Sequence, residues 1–225
     1  MPAVIYVKSD KEGVYVERSV KTRDKIIDTA IALFNREGVF NVSMRMIADS
    51  IGISVGNLTY HFRKKDDLIS EIMMRKIKER NIYGYSTYID LPGFNHFLKE
   101  LNERHCLYSF LFDDLVSLTK QFRLVRETEI RSITELKFFY NQTLKSFVMQ
   151  GLMQGEKYDC QFNNLVDAMI TISSFYTQQK TIAANFPSDS QNLITMIWAL
   201  LTPYLTPRGY KQFLNDVFPQ FSGAG

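Results

Sequence analysis

The stretch Ser43-Met-Arg-Met-Ile-Ala-Asp-Ser-Ile-Gly-Ile-Ser-Val-Gly-Asn-Leu-Thr-Tyr-His-Phe62 carries the signals of two short helices joined by a tight turn. Ser43 and Ser54 each stand where a helix N-cap is expected, because a serine hydroxyl can accept a hydrogen bond from the first free backbone N–H groups. Gly52 lies between them and can adopt the left-handed conformation that ends a helix. The spacing leaves room only for a tight turn, which predicts a helix-turn-helix arrangement.

The apolar residues of this stretch define which sides of the two helices are buried. Ile47, Ala48 and Ile51 are predicted to face inward from the first helix. Leu58 and, just after the second helix, Phe62 are its predicted inward anchors. The remaining residues of the second helix then lie nearer the outside: Val55, Gly56, Asn57, Thr59, Tyr60 and His61.

These outward side chains have the chemistry of contacts to double-stranded DNA. Asparagine and threonine can address base edges or phosphates, tyrosine and histidine can bond phosphate oxygens, and Arg45 can make a bidentate contact to guanine. All formal charges between Ser54 and Lys65 are positive, and Lys65 stands at a helix start where it could clamp a phosphate. We therefore predict DNA contacts from Ser43, Arg45, Ser54, Val55, Gly56, Asn57, Thr59, Tyr60, His61 and Lys65.

The same residues resemble the amino-terminal DNA-binding domain of the TetR/AcrR family of bacterial transcriptional regulators. That family has a capped second helix ending Ile-Ala, a Gly turn, and then Ser-x-Gly-x-Leu-Tyr-x-x-Phe-x-x-Lys-x-x-Leu. The residues in matching places are Ile47, Ala48, Gly52, Ser54, Gly56, Leu58, Phe62, Lys65 and Leu68. Thr59 replaces the family's phosphate-binding tyrosine, with Tyr60 and His61 as substitutes, and Ser43 replaces the usual threonine. The specific resemblance runs from about Thr22 to Ile77.

The resemblance implies an all-α fold, with a three-helix helix-turn-helix domain followed by a helical ligand-binding and dimerisation domain. We expect a first helix capped by Thr22 and stopped by Gly38, a DNA-binding domain over 22–68, a linker helix from about residue 66, and a regulatory domain over 69–225. Residues 1–21 are an N-terminal extension, for which disorder, a flexible arm touching DNA, or a small hairpin that includes Val4, Tyr6, Val14 and Val16 are the alternatives.

The rest of the chain is predicted to be helical almost throughout. The linker helix should end near Leu91-Pro92-Gly93. Further helices are expected at about 94–104, 106–119, 122–153 and 161–184, at 188–202 from a capping box at 188–191, and in a short final segment opened by Pro207.

The helices at 161–184 and 188–205 are apolar on more than one side. One apolar side satisfies a monomer core, so we infer that the surplus pairs with a second copy, as the family resemblance also implies. The alternative is a larger intramolecular core. The predicted dimer residues are Leu165, Met169, Ile172, Ile194, Ile197, Trp198 and Leu201.

An aromatic-rich region lies between the linker and the predicted dimer helices. By resemblance, it would hold a small apolar or aromatic ligand of unknown identity, although aromatic residues at helical spacing are also typical of packed cores. The residues proposed to line such a pocket are Tyr85, Tyr88, Phe97, Phe110, Phe112, Phe139 and Phe147.

Composition agrees with a DNA-binding protein and provides little support for an enzyme. Residues 1–80 carry 15 Lys and Arg against 11 Asp and Glu, which places the basic excess toward the amino terminus. No Gly-rich phosphate loop, nucleophile elbow or paired metal motif is present, so we predict no catalytic residues, cofactor or metal. Two cysteines and no membrane-length apolar segment lead us to expect a cytoplasmic protein with no membrane partner.

The sequence thus predicts a ligand-responsive, homodimeric repressor that recognises a near-palindromic operator in double-stranded DNA. The alternative, which Thr59 in place of tyrosine leaves open, is an interaction protein that keeps this fold but binds a protein partner.

Overall fold

The computed structural model describes residues 12–79, 89–182 and 193–221, with the backbone alone for residues 12–20, 177 and 179–182. These residues are mostly helical and contain no β-strand, which confirms the predicted all-α class. The helices are α1 (Glu12–Glu37), α2 (Met44–Ile51), α3 (Val55–His61), α4 (Lys65–Lys78), α5 (Leu91–Leu107), α6 (Ser109–Asp113), α7 (Leu115–Gln121), α8 (Arg123–Met149), α9 (Gln161–Ile182), α10 (Leu193–Leu201) and α11 (Pro207–Gln212). None of the helices in this described part is long and apolar enough to cross a membrane.

The first helix begins earlier than the sequence predicted. It starts at Glu12 rather than at a cap on Thr22, so Val14 and Val16 belong to α1 and not to a hairpin. Its end agrees with prediction, because Gly38 adopts a φ of +80° directly after Glu37. The predicted behaviour of residues 1–11, including Val4 and Tyr6, lies outside the described residues.

The chain divides into two compact units, residues 1–75 and 76–225, and the division falls within α4. In the first unit, α1 packs on α2 and α2 on α3. Two ion pairs tie α4 to α1: Arg23 with Glu71 at 2.8 Å and Arg75 with Asp28 at 2.5 Å. Because of these contacts, the first unit extends to residue 75, whereas the sequence analysis places the end of the DNA-binding domain at residue 68.

The helices of the second unit differ from prediction mainly at their ends. The linker helix α4 ends at Lys78, and the Leu91-Pro92-Gly93 segment opens α5 instead, with Asp90 as its N-cap. The α5 helix continues to Leu107, so the helix predicted at 106–119 is three separate pieces, broken at Tyr108 and Asp114. The sequence analysis correctly predicts the long helix α8, the helices α9 and α10, and the short helix that begins at Pro207. The capping box predicted at 188–191 lies outside the described residues.

An aromatic cluster forms the centre of the second unit. The Phe94 ring meets the rings of Tyr140, Phe147 and Trp198 edge to face, at centroid distances between 5.6 and 6.0 Å. Trp198 is buried, and its indole Nε1 donates a hydrogen bond of 2.9 Å to the Oδ1 atom of buried Asn95. This bond satisfies two polar groups inside an apolar core and joins α5 to α10.

Candidate nucleic-acid interface

Local hydrogen bonds fix the two helices that carry the candidate interface. The Ser43 hydroxyl accepts from the Met46 N–H at 3.2 Å, and the Ser54 hydroxyl accepts from the Asn57 N–H at 3.1 Å. Gly52 ends α2 with a φ of +73°, a left-handed conformation that costs glycine little. Both predicted caps and the predicted turn are therefore confirmed.

The α3 helix divides into a buried side and an outer side as predicted. Leu58 is fully buried and Phe62, directly after α3, is nearly so. Val55, Gly56 and Asn57 are exposed on the outer side. The short helix therefore presents its amino-terminal turn and its polar groups to solvent, which is the part of a recognition helix that reaches base edges.

Thr59 and Tyr60 differ sharply in exposure. Thr59 is half-buried, and its hydroxyl donates to the Gly56 carbonyl at 3.1 Å within α3. Tyr60 is 76% exposed, with its ring edge to face against His61 at 5.2 Å. Of these two hydroxyl groups, that of Tyr60 is better placed to reach a phosphate.

His61 contributes a neutral imidazole to this surface. Partial burial lowers the pKa of His61 below its ordinary value of 6.5, and the positive charge of Arg23 lowers it further. At pH 7 the side chain is therefore a single N–H donor rather than a cation, which still permits one hydrogen bond to a phosphate oxygen.

Arg23 supports the carboxyl-terminal end of α3, a role that the sequence did not reveal. Its guanidinium lies 4.4 Å from the centroid of the Phe62 ring and donates to the His61 carbonyl at 3.2 Å. It also pairs with Glu71 of α4 at 2.8 Å. Because its partners stand 38 to 48 residues away along the chain, no local motif could have pointed to Arg23.

The ammonium of Lys65 is engaged within the protein, which does not support the predicted phosphate clamp. Its Nζ donates to the carbonyl of Val42 at 2.7 Å and also to that of Val39. It lies 5.7 Å from the centroid of the Phe34 ring. Burial lowers the pKa of Lys65, and the nearby Asp66 carboxylate raises it by less. Lys65 therefore acts in this structure as a bridge from α4 to the loop between α1 and α2.

The accessible positive charges next to α3 come from other residues. Arg63 and Lys64 are both exposed between α3 and α4, and Lys64 lies 3.6 Å from Asp66. Arg45 on α2 is 3.8 Å from Asp49, and both side chains are largely exposed. Such exposed pairs are weak, so Lys64 and Arg45 can exchange these partners for DNA.

The aromatic residues predicted to line a ligand pocket mostly fill the core instead. Phe97, Phe139 and Phe147 pack in the aromatic cluster, and Phe110 is buried. Phe112 does line a cavity in the second unit, whereas Tyr85 and Tyr88 lie outside the described residues. In the part of the chain that the structure describes, no group of three or more His, Cys, Asp or Glu side chains could hold a metal ion.

The residues predicted to form a dimer interface are also largely inside the protomer. Met169, Ile197, Trp198 and Leu201 are buried in its own core, and Leu165 and Ile194 are only 8% exposed. Ile172 is half-buried. The apolar excess of α9 and α10 thus serves the intramolecular core at these positions, and a second copy would have to contact other residues of the two helices.

Known proteins share both the sequence pattern and the fold. A family model for bacterial regulatory proteins of the tetR family matches residues 26–72, and a second model, for a bacterial transcriptional repressor, matches residues 73–213. The probable HTH-type transcriptional regulator YttP of Bacillus subtilis (strain 168) is 26% identical over 198 residues, covering 88% of this chain and 82% of its own length.

Solved structures support the same relationship. A TetR-family transcriptional regulator from Marinobacter aquaeolei VT8 superposes with a TM-score of 0.77 at 25% identity, covering 86% of this chain and 95% of that one. SmeT, solved as a complex with triclosan, superposes with a TM-score of 0.55 at 15% identity, covering 83% of this chain and 93% of its own; at that identity the likeness concerns the fold alone.

The helix-turn-helix and these relatives define the class of protein: it is a DNA-binding transcriptional regulator and not an enzyme. Together the two family models span residues 26–213 of the 225 in the chain. The chain belongs to the tetR family of bacterial regulatory proteins.

Proposed function

We propose that the protein is a ligand-responsive, homodimeric repressor that recognises a near-palindromic operator. The observation that carries the DNA part is the exposed polar side of α3, held by the Ser54 cap and flanked by exposed Arg63 and Lys64. A helix presented in this way suits the major groove, where side chains read base edges while neighbouring cations hold the phosphates.

The proposed roles follow from exposure and hydrogen bonding. Asn57 and Arg45 are exposed and suited to base edges, and Tyr60 carries the more accessible of the two adjacent hydroxyl groups on α3. Arg63 and Lys64 are proposed to bind DNA phosphates in place of Lys65, because Lys65 supports the loop before α2. The helix caps Ser43 and Ser54 hold α2 and α3 in place and leave their N-terminal turns accessible.

We propose that the protein dimerises through the residues of α9 and α10 that remain exposed on the protomer. Phe175 on α9 is 52% exposed and Ala199 on α10 is exposed, and Met196 and Leu200, also on α10, are half-buried. Burying such apolar surface against a second copy is favourable. A symmetric dimer would place two α3 helices about 34 Å apart, one turn of DNA, and would therefore read a near-palindrome.

The ligand response is proposed to depend on the cavity that Phe112 lines in the second unit. The fold neighbour SmeT binds triclosan, a small aromatic molecule, and supports this proposal by analogy of fold. A ligand that prefers one conformation of the dimer would shift the population away from the DNA-bound form. The size of that shift is set by the ligand's differential affinity for the two conformations.

A second candidate is a protein-binding role for the same surface. Met46, Val55 and Tyr60 are apolar or aromatic and are all exposed on or beside α2 and α3. Exposed apolar groups of this kind also mark protein interfaces. Salt dependence separates the two functions, because DNA binding releases counterions and weakens steeply as salt rises.

The experiment that tests the proposal is selection of the purified full chain against a random duplex DNA pool at ~150 mM salt. Enrichment of a near-palindrome is the expected result. A double variant, Arg45→Ala with Tyr60→Ala, is the control, because both side chains are exposed and their loss leaves the core intact. A folded dimer that enriches no motif would overturn the operator-binding proposal and favour the protein-binding role.

A further inference from the structure

A cavity of about 70 Å³ lies in the second unit, bounded by α5, α6, α8, α9 and by Lys76 near the end of α4. Leu101, Phe112 and Ile170 supply apolar walls, and polar groups are set among them. This volume is roughly that of two water molecules. Ile133 in the wall is 40% exposed, and a molecule larger than two waters, such as one with a single aromatic ring, requires this side of the cavity to open.

His105 is the unusual group in this wall. Its side chain is 91% buried, given a residual exposure of 9%, and its Nδ1 atom has no hydrogen-bond partner among the described residues. The ring lies 4.2 Å from that of Phe112, measured between centroids. A buried polar atom without a partner costs free energy that a suitable ligand can recover.

The protonation of His105 determines which ligand group would suit it. Burial lowers the pKa of His105 to about 3, with smaller contributions from the charges of Lys76 and Arg104, while a backbone hydrogen bond at Ser173 acts in the opposite direction. Since Nδ1 has no partner, that backbone bond belongs to Nε2–H. The imidazole is therefore neutral, and Nδ1 is a hydrogen-bond acceptor that requires an O–H or N–H donor.

The other polar groups of the wall favour a neutral donor over an anion. The Ser173 hydroxyl donates to the Met169 carbonyl at 2.8 Å and lies beside the buried Tyr140 hydroxyl, so it is already engaged within the protein. Lys76 and Glu129 form an ion pair at 2.5 Å, and Arg104 adds a second cation to the wall. A ligand carboxylate could pair with these cations, but it would lie close to Glu129 and would offer no hydrogen to the neutral Nδ1 atom of His105.

We propose that this cavity binds a small, neutral, apolar molecule bearing one hydroxyl group, of the phenol class, whose hydroxyl donates to Nδ1 of His105. The proposal rests on the ligand-responsive function above and names the chemical class of that ligand. The ring would pack on Phe112, Leu101 and Ile170.

The test measures the binding of three single-ring probes to the full chain: phenol, toluene, which matches phenol in heavy-atom count, and the larger anion benzoate. Binding is followed by NMR of the Ile133 and Ile170 methyl groups, which report on the cavity itself. We expect phenol to bind at least about 10-fold more tightly than toluene or benzoate, which is the scale of one buried hydrogen bond. Equal binding of toluene, tighter binding of benzoate, or no binding of any probe would overturn the proposal.

Variants identify the acceptor. His105→Phe should remove the advantage of phenol over toluene, whereas His105→Asn, which keeps an acceptor near the position of Nδ1, should retain it within about threefold. His96→Asn is the matched control, because His96 lies on the same helix and is largely exposed. If His105→Phe does not fold, the His105→Asn variant and the comparison of the three probes still test whether His105 accepts the ligand hydroxyl.

DNA selection and phenol binding test the proposed function and this proposal separately. A chain that enriches a palindrome from the DNA pool but does not prefer phenol remains a repressor candidate and loses this ligand class. A chain that binds phenol through His105 but enriches no DNA keeps the ligand class and loses the operator.

Discussion

Lys65 Nζ donates a hydrogen bond of 2.7 Å to the carbonyl of Val42, and this bond links the start of α4 to the loop that precedes α2. The same ammonium donates to Val39, and both valines are buried. A lysine in this position satisfies carbonyl groups that no helix serves. Its contribution to DNA binding is therefore expected to be indirect, through the placement of α2 and α3.

Replacing Lys65 by Met should destabilise the first unit by about 1–3 kcal/mol, because two buried carbonyls lose their donor. The loss should appear as faster amide hydrogen exchange in α1, α2 and α3. Lys64→Met is the matched control, since Lys64 is exposed one residue earlier. Unchanged exchange in Lys65→Met, with reduced DNA affinity alone, would show instead that the ammonium contacts phosphate directly.

Arg63 gives a prediction about the salt dependence of DNA binding. Its guanidinium is exposed beside α3, so we expect Arg63→Ala to remove one phosphate contact without loss of stability. The slope of log K against log salt concentration should then fall in magnitude by about 0.9. Arg36→Ala on α1 is a suitable control, because Arg36 is also exposed but already pairs with Glu37 at 2.7 Å. An unchanged slope would exclude Arg63 from the interface.

The parts of the site that the sequence predicted are those held by local interactions. The Ser43 and Ser54 caps each bond a backbone N–H three residues ahead, and Gly52 acts through its own backbone angle. Such features depend on a few neighbouring residues. The roles of Arg23 and Lys65 depend on partners far along the chain. Local patterns therefore give no indication of Arg23, and for Lys65 they predict a phosphate contact rather than its bonds to the loop before α2.

The body of the protein shows a second limit of sequence patterns. Apolar residues on several sides of α9 and α10 correctly indicated extensive burial, but periodicity does not state which neighbour buries each side. Met169 lies on α9, which packs against α8, and Trp198 on α10 packs against Phe94 of α5. Both residues are therefore buried in the protomer's core, whereas Phe175 stays at the surface. The same ambiguity affected the aromatic residues, of which Phe112 borders a cavity while Phe97 and Phe147 fill the core.

Tyr60 should be the more important of the two adjacent hydroxyl residues on α3. It is 76% exposed, so Tyr60→Phe tests its hydroxyl without disturbing packing. We expect a loss of DNA affinity of about 10-fold, the scale of one hydrogen bond to a charged phosphate. Thr59→Val is the comparison, because the Thr59 hydroxyl already donates within α3 at 3.1 Å and should change affinity by less than about threefold. The reverse order would assign the phosphate contact to Thr59.

The proposed dimer contact on α9 can be tested by introducing a charged residue there. Phe175→Arg should convert a dimer to a monomer in analytical ultracentrifugation, because it places an unpaired charge in a buried apolar interface. The Phe175 side chain is 52% exposed in the protomer, so the fold itself should remain intact. Phe138→Arg on α8 is the control, since Phe138 is also exposed but lies on a different helix. A dimer that survives Phe175→Arg and dissociates with Phe138→Arg would move the interface to α8.

His105 should make the second unit sensitive to acid. Its pKa is about 3 in the folded chain against an ordinary 6.5, so the unfolded chain binds a proton that the folded chain does not. The stability that the chain gains from keeping His105 neutral is therefore fully present above pH 6.5 and is lost as the pH falls toward 3. The free energy of unfolding is expected to fall by about 1.4 kcal/mol per pH unit within that window.

The fluorescence of Trp198 can follow this loss during urea unfolding, because it is the single tryptophan and lies buried in the second unit. Measurements at fixed protein concentration, at pH 7.0 and at ~5.5, separate the effect from any change in dimerisation. His105→Asn cannot take up a proton, so this variant should lose less stability than the wild type over the same interval. His96→Asn should follow the wild type, since His96 is exposed. Equal acid sensitivity in His105→Asn and the wild type would mean that His105 does not control the response.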